Sequence, residues 1–278
     1  MIKETDVYQK DGKKNGKLKV PKQFNETYRP DLIKRAVIAE QSLSYHPYAP
    51  KKGAGLRHST DWTRNRQRHF KCAYGWGISR VPKKVLSRPG GGWQGVISFH
   101  TYKGAMAPQC VGGRKAHPPK LEKIIIKKIN KNEKKKALRS AVSATAILDL
   151  IKLRGHKIPD VSLPIIAEDI ENIKKTKDVL DFVKKLGLKL ELERSKTKKV
   201  RAGRGKTRGR KYKTRTGPLF VVSKKCPLLK SAKNIPGIET IEVNNLNVEI
   251  LAPGTHAGRL VIWSKPSIEL MEKNKLFM

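Results

Sequence analysis

The residues with the clearest chemical capacity are cations set among glycines. Residues 194–215 read RSKTKKVRAGRGKTRGRKYKTR and hold 12 Lys or Arg and no acid. Arg201, Arg204, Lys206, Arg208, Arg210, Lys211 and Arg215 lie there. A guanidinium pairs with phosphate through parallel hydrogen bonds and stacks on an exposed base. Glycine between such cations lets the backbone approach a phosphate closely. A second run, Arg64-Asn65-Arg66-Gln67-Arg68-His69, mixes guanidinium, amide and imidazole groups. Both patterns suit RNA, which leaves more of its bases splayed for contact than duplex DNA does.

Catalytic readings of the same residues fail on spacing. Gly205-Lys206-Thr207 would need a glycine at position 200 to make a phosphate-binding P-loop, and that residue is Val200. The glycines of APGTHAGRL, residues 252–260, precede a predicted strand rather than a helix, so they read as a tight turn allowing close backbone or phosphate approach. The three cysteines, Cys72, Cys110 and Cys226, are far apart and form no CxxC pair, so no metal site is expected. Their odd number suits reduced thiols in the cytosol. Asp61, the lone acid between residues 46 and 120, reads as an ion-pair partner of Arg57 and Arg64. No Ser/His/Asp set or carboxylate pair emerges, so neither an enzyme nor a cofactor is expected.

Charge leads to the same class of partner. The chain has 278 residues, a net charge of +39 and a pI near 10.3, so a neutralising polyanion is expected. A membrane is not, because no apolar run approaches the roughly 20 residues that span a bilayer. The N-terminus has no apolar core of a signal peptide. Residues 46–120 carry 15 Lys or Arg against one acid, and 11 of the 22 glycines. Lys51, Lys52, Arg57, Lys71, Arg80, Lys83, Lys84, Arg88, Arg114 and Lys115 lie in this stretch, with Arg64, Arg66 and Arg68. It shows no sustained helical or strand period. Its aromatics, Trp62, Trp76 and Trp93 among them, argue against disorder, since disordered chains are poor in such residues. The stretch reads as an extension that orders against RNA.

The remaining segments must position these cations. Residues 1–29 predict two short strands around Asp11-Gly12 and Asn15-Gly16. Pro30 opens a helix to Leu43 with a stripe of Ile33, Ala36 and Val37. Helices are expected at 121–129, 132–154 (ended by Gly155), 176–186 and 227–233, and after a Ser264 cap to 273. Strands are expected at 163–167, 188–193, 218–222, 239–243, 248–251 and 259–263. Alternating strands and helices predict a mainly parallel sheet in a three-layer α/β body. The helices at 30–43 and 132–154 would then be neighbours. On this reading residues 1–45 and 121–278 form one globular domain, 46–120 an inserted irregular loop, and 194–215 a second basic loop.

Several blocks resemble the large ribosomal subunit protein four family, in its archaeal and eukaryotic branch. They are YRPDLIKRAV at 28–37, PQCVGGRKAHPP at 108–119, KALRSAVSATA at 136–146, RAGRGKTRGRKYKTRTGPLFVV at 201–222, NIPGIETIEVNNLNVEILAPG at 234–254 and HAGRLVIW at 256–263. The resemblance implies a structural, non-catalytic constituent of the large subunit. It implies partners in large-subunit rRNA, neighbouring ribosomal proteins and the nascent peptide. It also implies that residues 46–120 penetrate rRNA and help line the peptide exit tunnel. The tip would then include Arg64, Arg66, Arg68, Trp76, Arg80 and Lys83. In the family the tip ends in Arg-x-Pro-Arg; here Arg80-Val81-Pro82 is followed by Lys83, and Trp76 stands where a small or basic residue is usual. An extra-ribosomal RNA-binding regulator is the alternative.

Overall fold

Runs of apolar residues bounded by Pro and Gly form the strands that organise the chain. A computed structural model describes residues 4–58, 60–61, 77, 79–85, 100–159 and 161–278. The chain begins with β1 (Glu4–Tyr8), β2 (Lys14–Lys19) and α1 (Pro30–Leu43). Three short strands follow, β3 (Thr60–Asp61), β4 (Lys83–Val85) and β5 (His100–Gly104). Next come α2 (Lys131–Ala144), α3 (Leu148–Leu153), β6 (Ile165–Ala167), α4 (Thr176–Lys185) and α5 (Lys189–Lys196). β7 (Lys198–Val200), β8 (Tyr212–Thr214) and β9 (Leu219–Val222) lead to α6 (Leu228–Ser231) and β10 (Glu239–Glu242). The chain closes with α7 (Val248–Leu251), β11 (Val261–Ser264) and α8 (Lys265–Lys273).

Six strands form one sheet in the order β10-β9-β11-β6-β1-β2. All neighbours are parallel except β1 and β2, which form an antiparallel pair with Glu4 opposite Lys19. The fold is therefore α/β with a mainly parallel sheet. Every residue of β6, β9 and β11 is buried, as expected of strands covered on both faces. Successive strand residues point to opposite faces. Leu219, Val221 and Trp263 thus join one apolar cluster with α1 and α2, while Phe220, Val222 and Ile262 join another with α4 and Leu188. Trp263 is fully buried and meets the Phe24 ring edge-on at 5.2 Å. Ser264 caps α8 by accepting from the Ser267 N–H.

The described chain falls into two compact units, Met1–Tyr45 with Ile126–Met278, and His46–Ile125. The second unit has a small sheet, β3-β4-β5, where the sequence shows no sustained strand period.

Four expected elements come out differently. Residues 121–129 form no helix: Ile124 is 85% exposed, and the Lys127 N–H donates to Ser42 Oγ at 2.9 Å. The β-branched run Ile124 to Ile126 is a weak helix former. The helix expected over 132–154 breaks into α2 and α3. Ser143 and Thr145 hydroxyls bond back to the Ser140 and Val142 carbonyls, and Ile147 is extended. Gly155 ends the second piece at φ +91°. Residues 189–196 are helical, although 188–193 reads as a strand. The alternation of Leu188, Leu190 and Leu192 imitates a strand period, but Leu190 is exposed while Leu188, Glu191 and Ser195 share a buried helical face. Residues 248–251 are likewise helical, with Val248 and Leu251 buried one turn apart and the Glu249 N–H held by the Glu40 carboxylate.

Candidate nucleic-acid interface

β7 and β8 form a hairpin whose pairing is opposed by its own charges. Lys198 faces Thr214, Lys199 faces Lys213 and Val200 faces Tyr212. Like charges directly across a ladder destabilise it. Backbone contacts hold the turn instead: the Arg201 N–H donates to the Lys211 carbonyl at 2.8 Å, and the Arg210 N–H to the Gly205 carbonyl at 3.1 Å. Arg201 also donates through Nε to the Arg210 carbonyl. Arg204–Arg208 make a 3-10 turn in which Thr207 Oγ1 bonds the Arg204 carbonyl, so this threonine is engaged in a turn rather than a P-loop. Arg204, Lys206, Arg208, Arg210, Lys211 and Arg215 are exposed, and Arg201 is half-buried. Among the described residues none of these seven pairs with an acid. Lys211 lies 5.5 Å from the Tyr212 ring centre, leaving an aromatic face beside the cations.

The hairpin leaves the sheet from an ionic anchor. Glu191, fully buried on α5, accepts from Arg194 Nε at 2.8 Å and Nη2 at 2.5 Å. It also bonds His156 Nδ1 at 2.7 Å and the Lys157 N–H at 2.9 Å. Arg194 Nη2 continues to the Thr216 carbonyl at 2.6 Å, tying the outgoing leg to the returning one. Burial raises the Glu191 carboxyl, but the Arg194 and His156 hydrogen bonds outweigh it and hold the group below its ordinary value. Burial lowers His156 more than Glu191 raises it. With Nδ1 carrying the proton and donating it to the Glu191 carboxylate, the buried His156 Nε2, without a hydrogen-bond partner among the described residues, is an acceptor.

Two further arginines stiffen this base. Arg259 is buried and donates to Glu239 at 2.7 Å and to the Gly217 and Ile250 carbonyls. Arg154 donates to the His256 carbonyl and, at 2.8 Å, to that of Pro253. Burial, reinforced by Arg259 and Arg194, lowers Arg154 to about 10. The tight turn expected at 252–260 is present. Gly258 adopts φ +87°, and a Cβ there would come within 2.6 Å of the Leu150 carbonyl oxygen, so only glycine fits.

In the second unit, close backbone contact gathers the cations. A Cβ on Gly55 would lie 2.5 Å from the Arg114 nitrogen, and one on Gly113 2.0 Å from the Ala107 oxygen. The turn with Lys51, Lys52 and Arg57 therefore packs on the segment with Arg114 and Lys115. All five side chains are exposed, and Arg57 donates to the Lys52 carbonyl. Arg80 is exposed and Lys84 half-buried. Lys83 differs: it is 3% exposed and donates to Ser79 Oγ at 2.7 Å. Arg64, Arg66, Arg68, Lys71, Trp76 and Arg88 lie outside the described residues, as do Cys72 and the side chain of Asp61. The hairpin and this cluster are thus each assembled locally.

Sequence reasoning found the cations but missed the anchor. Glu191 and Arg194, three residues apart, carried a helical signal that the leucine alternation masked. His156 lies 35 positions from Glu191, and no local spacing points to it. Cys110 and Cys226 are free thiols, and burial raises Cys226. Among the described residues no three His, Cys, Asp or Glu gather as a metal site, and no helix is long and apolar enough to cross a membrane.

Residues 18–274 match the model of the ribosomal protein L4/L1 family. A large ribosomal subunit protein uL4 of Nanoarchaeum equitans is 46% identical over 275 residues, covering 99% of both chains. The uL4 proteins of Archaeoglobus fulgidus and Methanococcoides burtonii are 39% and 42% identical, each over 94% of both chains. With the family's pattern running through both the sheet and the cationic hairpin, the chain belongs to the ribosomal protein L4/L1 family.

Proposed function

We propose that this protein is a structural constituent of the large ribosomal subunit in the cytoplasm. It binds large-subunit rRNA and aids its folding and assembly, and it catalyses no reaction. The observation that carries this is the β7/β8 hairpin, where Lys199 faces Lys213 and, among the described residues, no acid offsets the exposed cations. A phosphate backbone turns that repulsion into attraction, releasing counterions as it does so. The helices stack on both faces of the sheet as a three-layer body from residues 1–45 and 121–278. Residues 46–120 extend into rRNA, and their tip, with Arg64, Arg66, Arg68, Trp76 and Arg80, helps line the peptide exit tunnel beside the nascent chain, while Lys83, expected there too, is buried against Ser79. Lys51, Lys52, Arg57, Lys71, Lys84, Arg88, Arg114 and Lys115 contact rRNA along the way, as do the seven cations of residues 201–215. Neighbouring large-subunit proteins complete its surroundings.

Crosslinking within purified large subunits tests the reading. Residues 57–88 are expected to crosslink to large-subunit rRNA, and those near 80 also to a stalled nascent chain. Absence of the protein from large subunits would overturn the assignment. rRNA crosslinks without nascent-chain crosslinks would overturn only the tunnel placement.

A further inference from the structure

One stretch of this basic chain carries no cation. Residues 234–258 contain no Lys or Arg and three glutamates, Glu239, Glu242 and Glu249, in a protein whose net charge is +39. Such a surface disfavours a phosphate backbone. It is also where the main sheet ends, because β10 is an edge strand. The Glu239 N–H bonds the Pro218 carbonyl on the β9 side. The Glu242 carbonyl opens the 3-10 turn Val243–Asn245, but in a parallel ladder the N–H and C=O of Thr240 and the N–H of Glu242 face outward. Among the described residues no backbone hydrogen bond meets them there.

The edge is not flush with its surroundings. A groove of about 480 Å3 runs along it, lined by Leu229, Ile238, Ile241 and Ile250, with Lys233 at one rim. Glu239 is held by buried Arg259 yet keeps 56% of its side chain exposed, and among the described residues the Glu242 side chain accepts only from Asn245. Unpaired edge groups beside an apolar groove let an extended segment add as a strand, and the acidic neighbours favour a basic one.

We propose that β10 is a docking edge for an extended, basic segment of another protein, which adds as a further strand. Its main chain pairs with Thr240 and Glu242. Its alternate apolar side chains enter the groove, and its cations meet Glu239 and Glu242. This deepens the ribosomal reading and rests on it for the supply of basic protein chains. The chain thus presents phosphate-seeking surfaces and one peptide-seeking edge.

The test uses the full-length protein at physiological salt and a short fluorescent peptide alternating lysine and valine. Binding is compared with the same peptide carrying glutamate for lysine, and with a version N-methylated on its edge-facing amides. The basic peptide is expected to bind on the order of tenfold tighter than either, shifting the amide resonances of Thr240 and Glu242. Glu242→Lys and Thr240→Pro are each expected to weaken it by about tenfold, the second by removing an outward N–H on an edge that tolerates proline. Neither variant should alter RNA binding. Equal binding of the N-methylated peptide, indifference to Glu242→Lys, or an RNA oligonucleotide that shifts the same two amides would each overturn the proposal. Because RNA affinity is read separately, loss of the docking edge leaves the rRNA reading standing. Loss of RNA binding with the peptide retained would strike that reading alone.

Discussion

The β7/β8 hairpin and the unit His46–Ile125 both turn cations outward, but they hold them by opposite means. The hairpin is tied at its base by side chains, through Glu191, Arg194 and His156. The inserted unit is tied by backbone, where Gly55 meets Arg114 and Gly113 meets Ala107. A buried ionic anchor fixes two chain ends at one place and leaves the strands beyond free to repel each other. Glycine contact spreads the fixation along the chain and needs no charge. The hairpin is therefore sensitive to loss of one carboxylate, and the inserted unit to gain of one methyl group.

Removing the carboxylate should do the greater harm. Glu191→Ala leaves Arg194, with a side chain only 9% exposed, without its partner. Breaking a buried pair in this way costs about 3–5 kcal/mol. Denaturant unfolding should show that loss, whereas Glu191→Gln, which keeps one acceptor, should lose less. Equal stability of Glu191→Ala and the parent would remove the anchor from the account.

A smaller effect is expected in the other region. Gly113→Ala places a methyl against the Ala107 carbonyl, and overpacking of that kind costs about 1–3 kcal/mol. Hydrogen exchange should accelerate at residues 53–57 and 105–114, while the amides of β9 and β11 stay protected. Acceleration spread evenly over both would erase the distinction between side-chain and backbone fixation.

The smallest effect is a pH dependence confined to the anchor. The folded His156 lies below its ordinary value of 6.5, so the unfolded state binds more protons as pH falls through 6.5, and stability drops. Glu191, also lowered in the fold, adds a loss in the same direction once pH falls below its ordinary 4.5. His156→Gln should flatten the upper of these two limbs. A melting temperature that stays level or rises on acidification from neutral pH to below 6 would contradict the assigned protonation.

The sequence made the frame legible wherever periodicity and punctuation agreed. Pro30 and the stripe of Ile33, Ala36 and Val37 locate α1 with both ends as expected. The apolar runs around Phe220 and Ile262 give buried central strands. The reading failed where polar groups belong to the core. Glu191 and Ser195 are wholly buried, so a face containing them does not look apolar. At residues 143–147, hydroxyl groups bonding back to carbonyls ended a helix that the spacing of Leu148 and Ile151 would have continued. The cations of the interface were legible by composition alone. The anchor behind them was not, because it joins a helix, a loop and a strand end that only the fold brings together.

Salt dependence of rRNA binding is the most direct measure of the central claim. Each phosphate contact contributes roughly 0.7–0.9 to the slope of log affinity against log salt. Changing Arg204, Lys206, Arg208 and Arg210 together to glutamine is predicted to flatten the slope for full-length protein on large-subunit rRNA by roughly three. An unchanged slope and affinity would show that the hairpin does not meet phosphate, contradicting the account.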